Sequence, residues 1–288
     1  MYEIAKNYRD NASLRASFNA LAEQTFGGLN FENWYQLGYW GDNYIPYSLI
    51  IDGKVVANVS LNRTDLVMGG ERRRIYQLGT VMTDPEHRNK GYIRLLMAEI
   101  EKDIAYADGV YLFANDSVVT FYPKFGFQTN REYLWEREVS QEGPCTLVQI
   151  PMDTPENRER LAKAMAESTF PDGCRMVDNP GLIFFYAAQF MQDCVYYSRE
   201  LDAWAIAEQE DGELTLHSVF TGRDNSLDAV IAAFGNTVRH VVLGFSPADT
   251  TGFTCRECKE EDSTFFTRGP AFDRFAENRL RIPTLSHA

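Results

Sequence analysis

Apolar residues recur along this chain at two periods, and the switches between them mark its elements. Leu14, Phe18 and Leu21 fall at three- and four-residue steps and predict a first helix over residues 11–25. Asn11 or Ser13 can cap it, and Gly27-Gly28 ends it. A shorter helix is predicted over 30–37. Three strands follow: 47–51, turned by Asp52-Gly53 into 54–62, then Met68-Gly69-Gly70-Glu71 into 72–83. Arg72-Arg73-Arg74, at a strand start after a turn, reads as a solvated edge. Asp84-Pro85 stops the third strand, because proline has no N–H to give a ladder. After a polar loop, Ile93, Leu96, Met97, Ile100 and Ile104 form one apolar stripe at helical period. Asp108-Gly109 turns the chain into a buried-type strand, 110–114, and Asn115-Asp116-Ser117 caps a predicted helix over 118–124. Strand, helix and strand within this span require a right-handed parallel crossover.

Gln141-Glu142-Gly143-Pro144 reads as a boundary, dividing the chain into domains 1–140 and 141–288. The second half repeats the element order: helices 158–168 and 182–194, strands 196–200, 203–209 and 214–220, helix 227–234, strand 238–245 and a further strand pattern over 257–267.

The charge is unevenly placed, with 15 basic against 18 acidic residues in 1–140 and 13 against 23 in 141–288. An acidic chain without a basic face argues against nucleic acid as a partner. No apolar run reaches membrane-spanning length, and Met1-Tyr2-Glu3-Ile4-Ala5-Lys6 lacks the core of a signal peptide. The expectation is a cytoplasmic protein with no membrane partner; homo-oligomerisation stays open. Five cysteines, all in the second half, make no disulfide framework. Cys255-x-x-Cys258 has no second pair of ligands, so no metal is expected.

Candidate chemistry gathers between the third strand and the striped helix. Backbone N–H groups at such a helix start lack intrahelical partners and carry the positive end of the dipole. Gly91 admits close approach of a ligand to the backbone, and Arg88 and Lys90 add positive charge beside it. Together they predict a phosphate cradle.

The run Val81-x-Thr83-Asp84-Pro85-x-x-Arg88-x-x-Gly91 resembles the coenzyme A loop of the GNAT superfamily of N-acetyltransferases. Ile93 stands where that family usually has Gly or Ala. In this the stretch 87–93 is similar to the enhanced intracellular survival (Eis-like) branch, which carries a bulky apolar residue there. Tyr122, four residues before Gly126-Phe127, reproduces a second motif of the superfamily.

The resemblance covers roughly residues 1–140 and implies an α/β GNAT fold, a mixed central sheet flanked by helices, with acetyl-CoA as co-substrate. It places the pantetheine against Val81, Met82 and Thr83 and the pyrophosphate on Arg88, Asn89, Lys90, Gly91, Tyr92 and Ile93. Asn115 is expected to touch the coenzyme as well. Tyr122 would protonate the departing thiolate. The loop 220–226 has no Arg-x-x-Gly, so the second half is expected to be a degenerate GNAT-like copy without a coenzyme site, with a sterol-carrier-like domain as the alternative. The implied activity is N-acetyl transfer to a small-molecule or peptide amine; a non-catalytic acyl-CoA sensor is the alternative. The Eis-like branch brings its C-terminal carboxylate to the site. This chain is too short for that branch's third domain, so the role is not carried to Ala288.

Seven aromatic residues between Phe26 and Tyr44 read either as rings packed on the sheet or as the wall of a ligand cavity. On the second reading Glu32, Trp34, Tyr35 and Tyr39 would bind the acceptor, and ring faces with Glu32 and Asp42 would favour a small or flexible cationic amine. No general base is assigned: Glu32, Asp42 and His87 each have a good surface reading.

Overall fold

The computed structural model describes residues 1–287. Its first sheet runs edge to edge through β1 (Glu3–Lys6), β2 (Tyr44–Ile51), β3 (Lys54–Arg63), β6 (Ile75–Thr83), β7 (Gly109–Ala114), β18 (Thr264–Arg268) and β8 (Gln128–Thr129). The second runs through β10 (Val148–Gln149), β12 (Val195–Ser198), β13 (Ala203–Glu210), β14 (Glu213–Phe220), β15 (His240–Leu243), β9 (Tyr133–Glu138) and β17 (Thr254–Glu257). A third, four-stranded sheet takes β16 (Ser246–Pro247) and β11 (Asp172–Met176) from the second half and β4 (Leu66–Met68) and β5 (Glu71–Arg73) from the first.

The two large sheets correspond strand for strand. In each, antiparallel strands lead to one parallel step, β6 to β7 or β14 to β15, and two antiparallel strands complete the sheet. The second half therefore repeats the α/β architecture of the first. The halves also exchange a strand. β9 precedes residue 140 yet lies in the second sheet, while β18, from near the C-terminus, fills the matching place in the first.

Helix α1 (Ala12–Phe26) is capped by Asn11, whose side-chain oxygen accepts from the Leu14 N–H at 3.1 Å. Helix α2 (Glu32–Gln36) is a single short turn. Helix α3 (Tyr92–Asp103) buries Leu96, Met97 and Ile100 against Leu49, Val59 and Leu112 of the sheet. Each such side chain contributes about 1.5–3 kcal/mol by leaving water. The second half adds α4 (Pro155–Glu167), α5 (Pro180–Phe185), which continues as a π-helical turn over Tyr186–Phe190, and α6 (Leu227–Ala233). Among the described residues no helix is long and apolar enough to cross a membrane.

Three expected elements differ. The helix expected over 118–124 is two 3₁₀ turns, Asp116–Val118 and Tyr122–Phe125, because Pro123 lacks an N–H and its ring bars a regular α-helix. The strand expected over 72–83 breaks at Arg74 into β5, an edge strand, and β6. The strand expected over 257–267 is β17 and β18, separated by a turn with Asp262 at φ 53° and serving different sheets.

Candidate active site

β6 and β7 pair only from Ile75↔Gly109 to Gln77↔Tyr111, and beyond that they part. The cause lies on the other edge of β6. Between the pairs Ser60↔Gly79 and Asn58↔Met82, two residues of β6, Thr80 and Val81, face one of β3. This is a β-bulge, which bends its strand and leaves a residue outside the ladder. Thr80 sits at φ 47°, a conformation that costs a β-branched residue about 1–3 kcal/mol. Buried hydrogen bonds hold it there. Asn58 Nδ2 donates to the Thr80 carbonyl at 2.8 Å, and the Tyr44 and Thr80 hydroxyls lie 2.6 Å apart.

The parting opens a cleft of about 830 Å³. Val81, Met82 and Thr83 line one arm, Phe113, Ala114 and Asn115 the other, and Arg88, Asn89 and Ile93 the mouth. Asn89 (φ 62°) and Gly91 (φ 78°) both take left-handed backbone, the alternation that lets successive N–H groups converge on an anion. Gly91 is the N-cap of α3, and no side chain caps that helix start. Its first N–H groups are thus left for a ligand. Arg88, Asn89 and Lys90 are exposed, with Tyr92 half-buried behind them. Space around Gly91 is open, so its left-handed backbone rather than crowding calls for glycine. Asn115 lines the cleft, but its amide already donates to the Asp262 carboxylate at 2.8 Å.

Tyr122 is buried in the same cleft, its ring against Phe121, Phe127 and Phe266. Phe266 belongs to the exchanged strand β18, so the second half supports this residue. Burial alone pushes the phenol up to about 12, and its hydroxyl has no hydrogen-bond partner among the described residues. A protonated, unengaged O–H facing the cleft can act as a proton donor.

The far end of the cleft is aromatic: Phe26 and Phe31 from the first half, Phe185, Tyr186 and Phe190 from the second. His287 joins them, its ring stacked on Phe113 with centroids 4.1 Å apart and its carbonyl accepting from the Tyr186 hydroxyl at 2.7 Å. Burial pushes its imidazole down to about 3, so it is neutral. No carboxylate lines the cleft among the described residues. Ala288 lies outside the described residues.

Glu32, Trp34, Tyr35 and Tyr39 do not line this cleft. Glu32 is paired with Arg15 at 2.8 Å, which holds its carboxyl below the usual range, with a further hydrogen bond from Gln36. Trp34 is buried, and its indole N–H donates to the Gly181 carbonyl at 2.7 Å. The Tyr35 ring lies under the Arg15 guanidinium, and Tyr39 stacks on Phe184 with centroids 4.0 Å apart. Trp34 and Tyr39 thereby join the first half to α5, whereas Glu32 and Tyr35 are engaged within the first half. Asp42 pairs with Arg9, and His87 contacts Asp84. Sequence reasoning missed Thr80, Asn58, Tyr44, Phe185, Tyr186, Phe190 and His287. Gly79, inside a strand pattern, was the one available signal of the bulge.

Residues 12–129 match the family model of the acetyltransferase (GNAT) domain. Among curated proteins none matches by sequence. Solved structures share the fold across both halves. A conserved Enterococcus faecalis protein, described as a probable N-acyltransferase, superposes with a TM-score of 0.61 at 16% identity, over 96% of this chain and 75% of that one. Eis1 from Mycobacterium abscessus gives 0.58 at 13% identity, over 92% and 73%. A GCN5-related N-acetyltransferase from Anabaena variabilis gives 0.57 at 14%, over 93% and 72%.

Proposed function

We propose, from the match of residues 12–129 to the acetyltransferase (GNAT) domain, that the chain transfers an acetyl group from acetyl-CoA to a primary amine by direct attack. The observation that carries this reading is one continuous cleft holding parted strands with a bulge, an uncapped helix start and a protonated tyrosine. The start of α3, with Arg88 to Ile93, fits the pyrophosphate, since its N–H groups are uncapped and its turn is left-handed. The bulged segment Val81 to Thr83 fits the pantetheine amides and the thioester carbonyl, where its backbone would stabilise the developing oxyanion.

The acceptor enters from the aromatic end. Ring faces of Phe26, Phe31, Phe185, Tyr186 and Phe190, rather than carboxylates, favour its ammonium and any apolar body attached to it. The ammonium loses a proton to solvent. The free amine nitrogen then bonds to the acetyl carbon and gives up a second proton to solvent, the carbon–sulfur bond breaks, and Tyr122 delivers its proton to the leaving thiolate. Solvent restores the proton to Tyr122.

The test is thiol release from acetyl-CoA across a panel of primary amines, with mass analysis of the acceptor. Amine-dependent release with one acetyl gained is expected. Coenzyme binding with no amine-dependent release would favour the acyl-CoA sensor.

A further inference from the structure

The second half has a parting of its own. β14 and β15 pair in parallel from Glu213↔His240 to Leu216↔Leu243 and then separate, as β6 and β7 do beyond Gln77↔Tyr111. Behind this parting lies a cavity of about 410 Å³. Val219, Phe220 and Phe245 form its sheet side, Met165 of α4 and Ile183 of α5 its helical side, and Leu285 closes it. Its size suits a small organic molecule, for which pockets run about 300–1,000 Å³. It shares no lining residue with the coenzyme cleft.

A nucleotide does not fit here. The loop before α6 is tied to protein: the Thr221 N–H donates to Ser168 Oγ at 3.3 Å, and Asn225 Nδ2 to the Leu201 carbonyl at 2.8 Å. The start of α6 is closed by its own Ser226, which accepts from the Ala229 N–H at 3.1 Å. The cavity holds instead one acid without a partner. Asp172 of β11 lines it, and its carboxylate has no hydrogen bond or ion pair among the described residues. Desolvation pushes its carboxyl up to about 7 against the opposing pull of the Arg175 charge. Asp172 is half-buried on a wall that mixes apolar residues with Arg175 and Ser218, and a desolvated carboxyl there is costly until a donor satisfies it.

We propose that this cavity is a second ligand site, separate from acetyl transfer, that takes a compact apolar amine whose nitrogen donates to Asp172 and whose body fills the space between Val219, Phe245 and Met165. The parted sheet supplies the room, and the closed loop excludes the long phosphorylated ligand of the first half.

The test uses the full chain saturated with coenzyme A, so that the first cleft is occupied on its coenzyme side, and titrates it with 2-phenylethylamine. The readouts are calorimetry and the methyl resonances of ¹³C-labelled methionines. Saturable binding is expected, with shifts at Met165 and Met176, which line the cavity, and not at Met82, which lines the cleft. Asp172→Asn, nearly isosteric, should weaken the amine tenfold or more while coenzyme affinity stays within twofold. Absence of binding to the wild-type chain, shifts at Met82 alone, or an unchanged affinity in Asp172→Asn would each overturn the site. None of these readouts needs turnover, so failure here is distinct from failure of the transferase reading.

Discussion

The two partings are built by the same strand order and end in different chemistry. Between β6 and β7 the cleft runs to a helix whose N-cap is Gly91, with no side chain on its first N–H groups. After β14 the chain leads into a helix whose N-cap, Ser226, satisfies one of those groups itself. Arg88 in the first loop reaches only the Thr83 carbonyl among the described residues, whereas Arg223 in the second pairs with Asp202 at 3.4 Å. The parting follows from sheet geometry, which many buried contacts maintain. The proposed anion site rests on a few loop residues, which can differ between two copies of one fold without disturbing the parting.

The largest break in this comparison is expected at Tyr122, which belongs to the first half's cleft. Tyr122→Phe should lower kcat about 10²–10⁴-fold with coenzyme affinity retained, as for a general acid. Because burial raises the phenol to about 12, the proton stays on as pH rises, and kcat of the wild-type chain should show no falling limb from this group up to about pH 10. Rapid-quench kinetics and a pH profile check both, and full turnover in the variant would return Tyr122 to core packing.

Gly91→Asp strikes the feature that separates the two helix starts. Aspartate tolerates left-handed backbone better than most residues, so the fold should survive. Its carboxylate faces the pyrophosphate, and acetyl-CoA affinity should fall about 10²-fold at such close approach. Calorimetry alongside circular dichroism tells lost affinity from lost structure.

A direct titration sharpens the contrast further. One coenzyme should bind per chain, and a second equivalent of similar affinity would mean that the loop before α6 still cradles phosphate. The smallest effect is expected from Arg223→Ala. This surface arginine sits at the counterpart of the cradle but is engaged with Asp202, and exposed pairs of this kind contribute about 0–1 kcal/mol. Coenzyme affinity should stay within about twofold; a larger loss would place phosphate on the second loop.

Much of this molecule was legible along the chain. The periods of 14–21 and 93–104 gave α1 and α3, the turns at 52–53 and 108–109 bounded the strands, and Arg88 to Gly91 marked the uncapped, left-handed turn before α3, because each depends on neighbours within one or two turns. Tyr122 was found by its spacing to Gly126-Phe127, although Pro123 made its element a 3₁₀ turn rather than a helix. Other features depended on partners distant in sequence. The aromatic segment carries the same residue types whether it walls a site or packs a core. Only the arrival of Phe184, Phe185 and Gly181 from the second half packed Tyr39 and Trp34 against that half and left Phe26 and Phe31 at the cleft. The exchange of β9 and β18 is equally invisible in a local pattern, since either strand alternates as well in one sheet as in the other and pairing across more than a hundred residues decides between them. The aromatic end of the cleft, assembled from both halves, is likewise a product of tertiary structure.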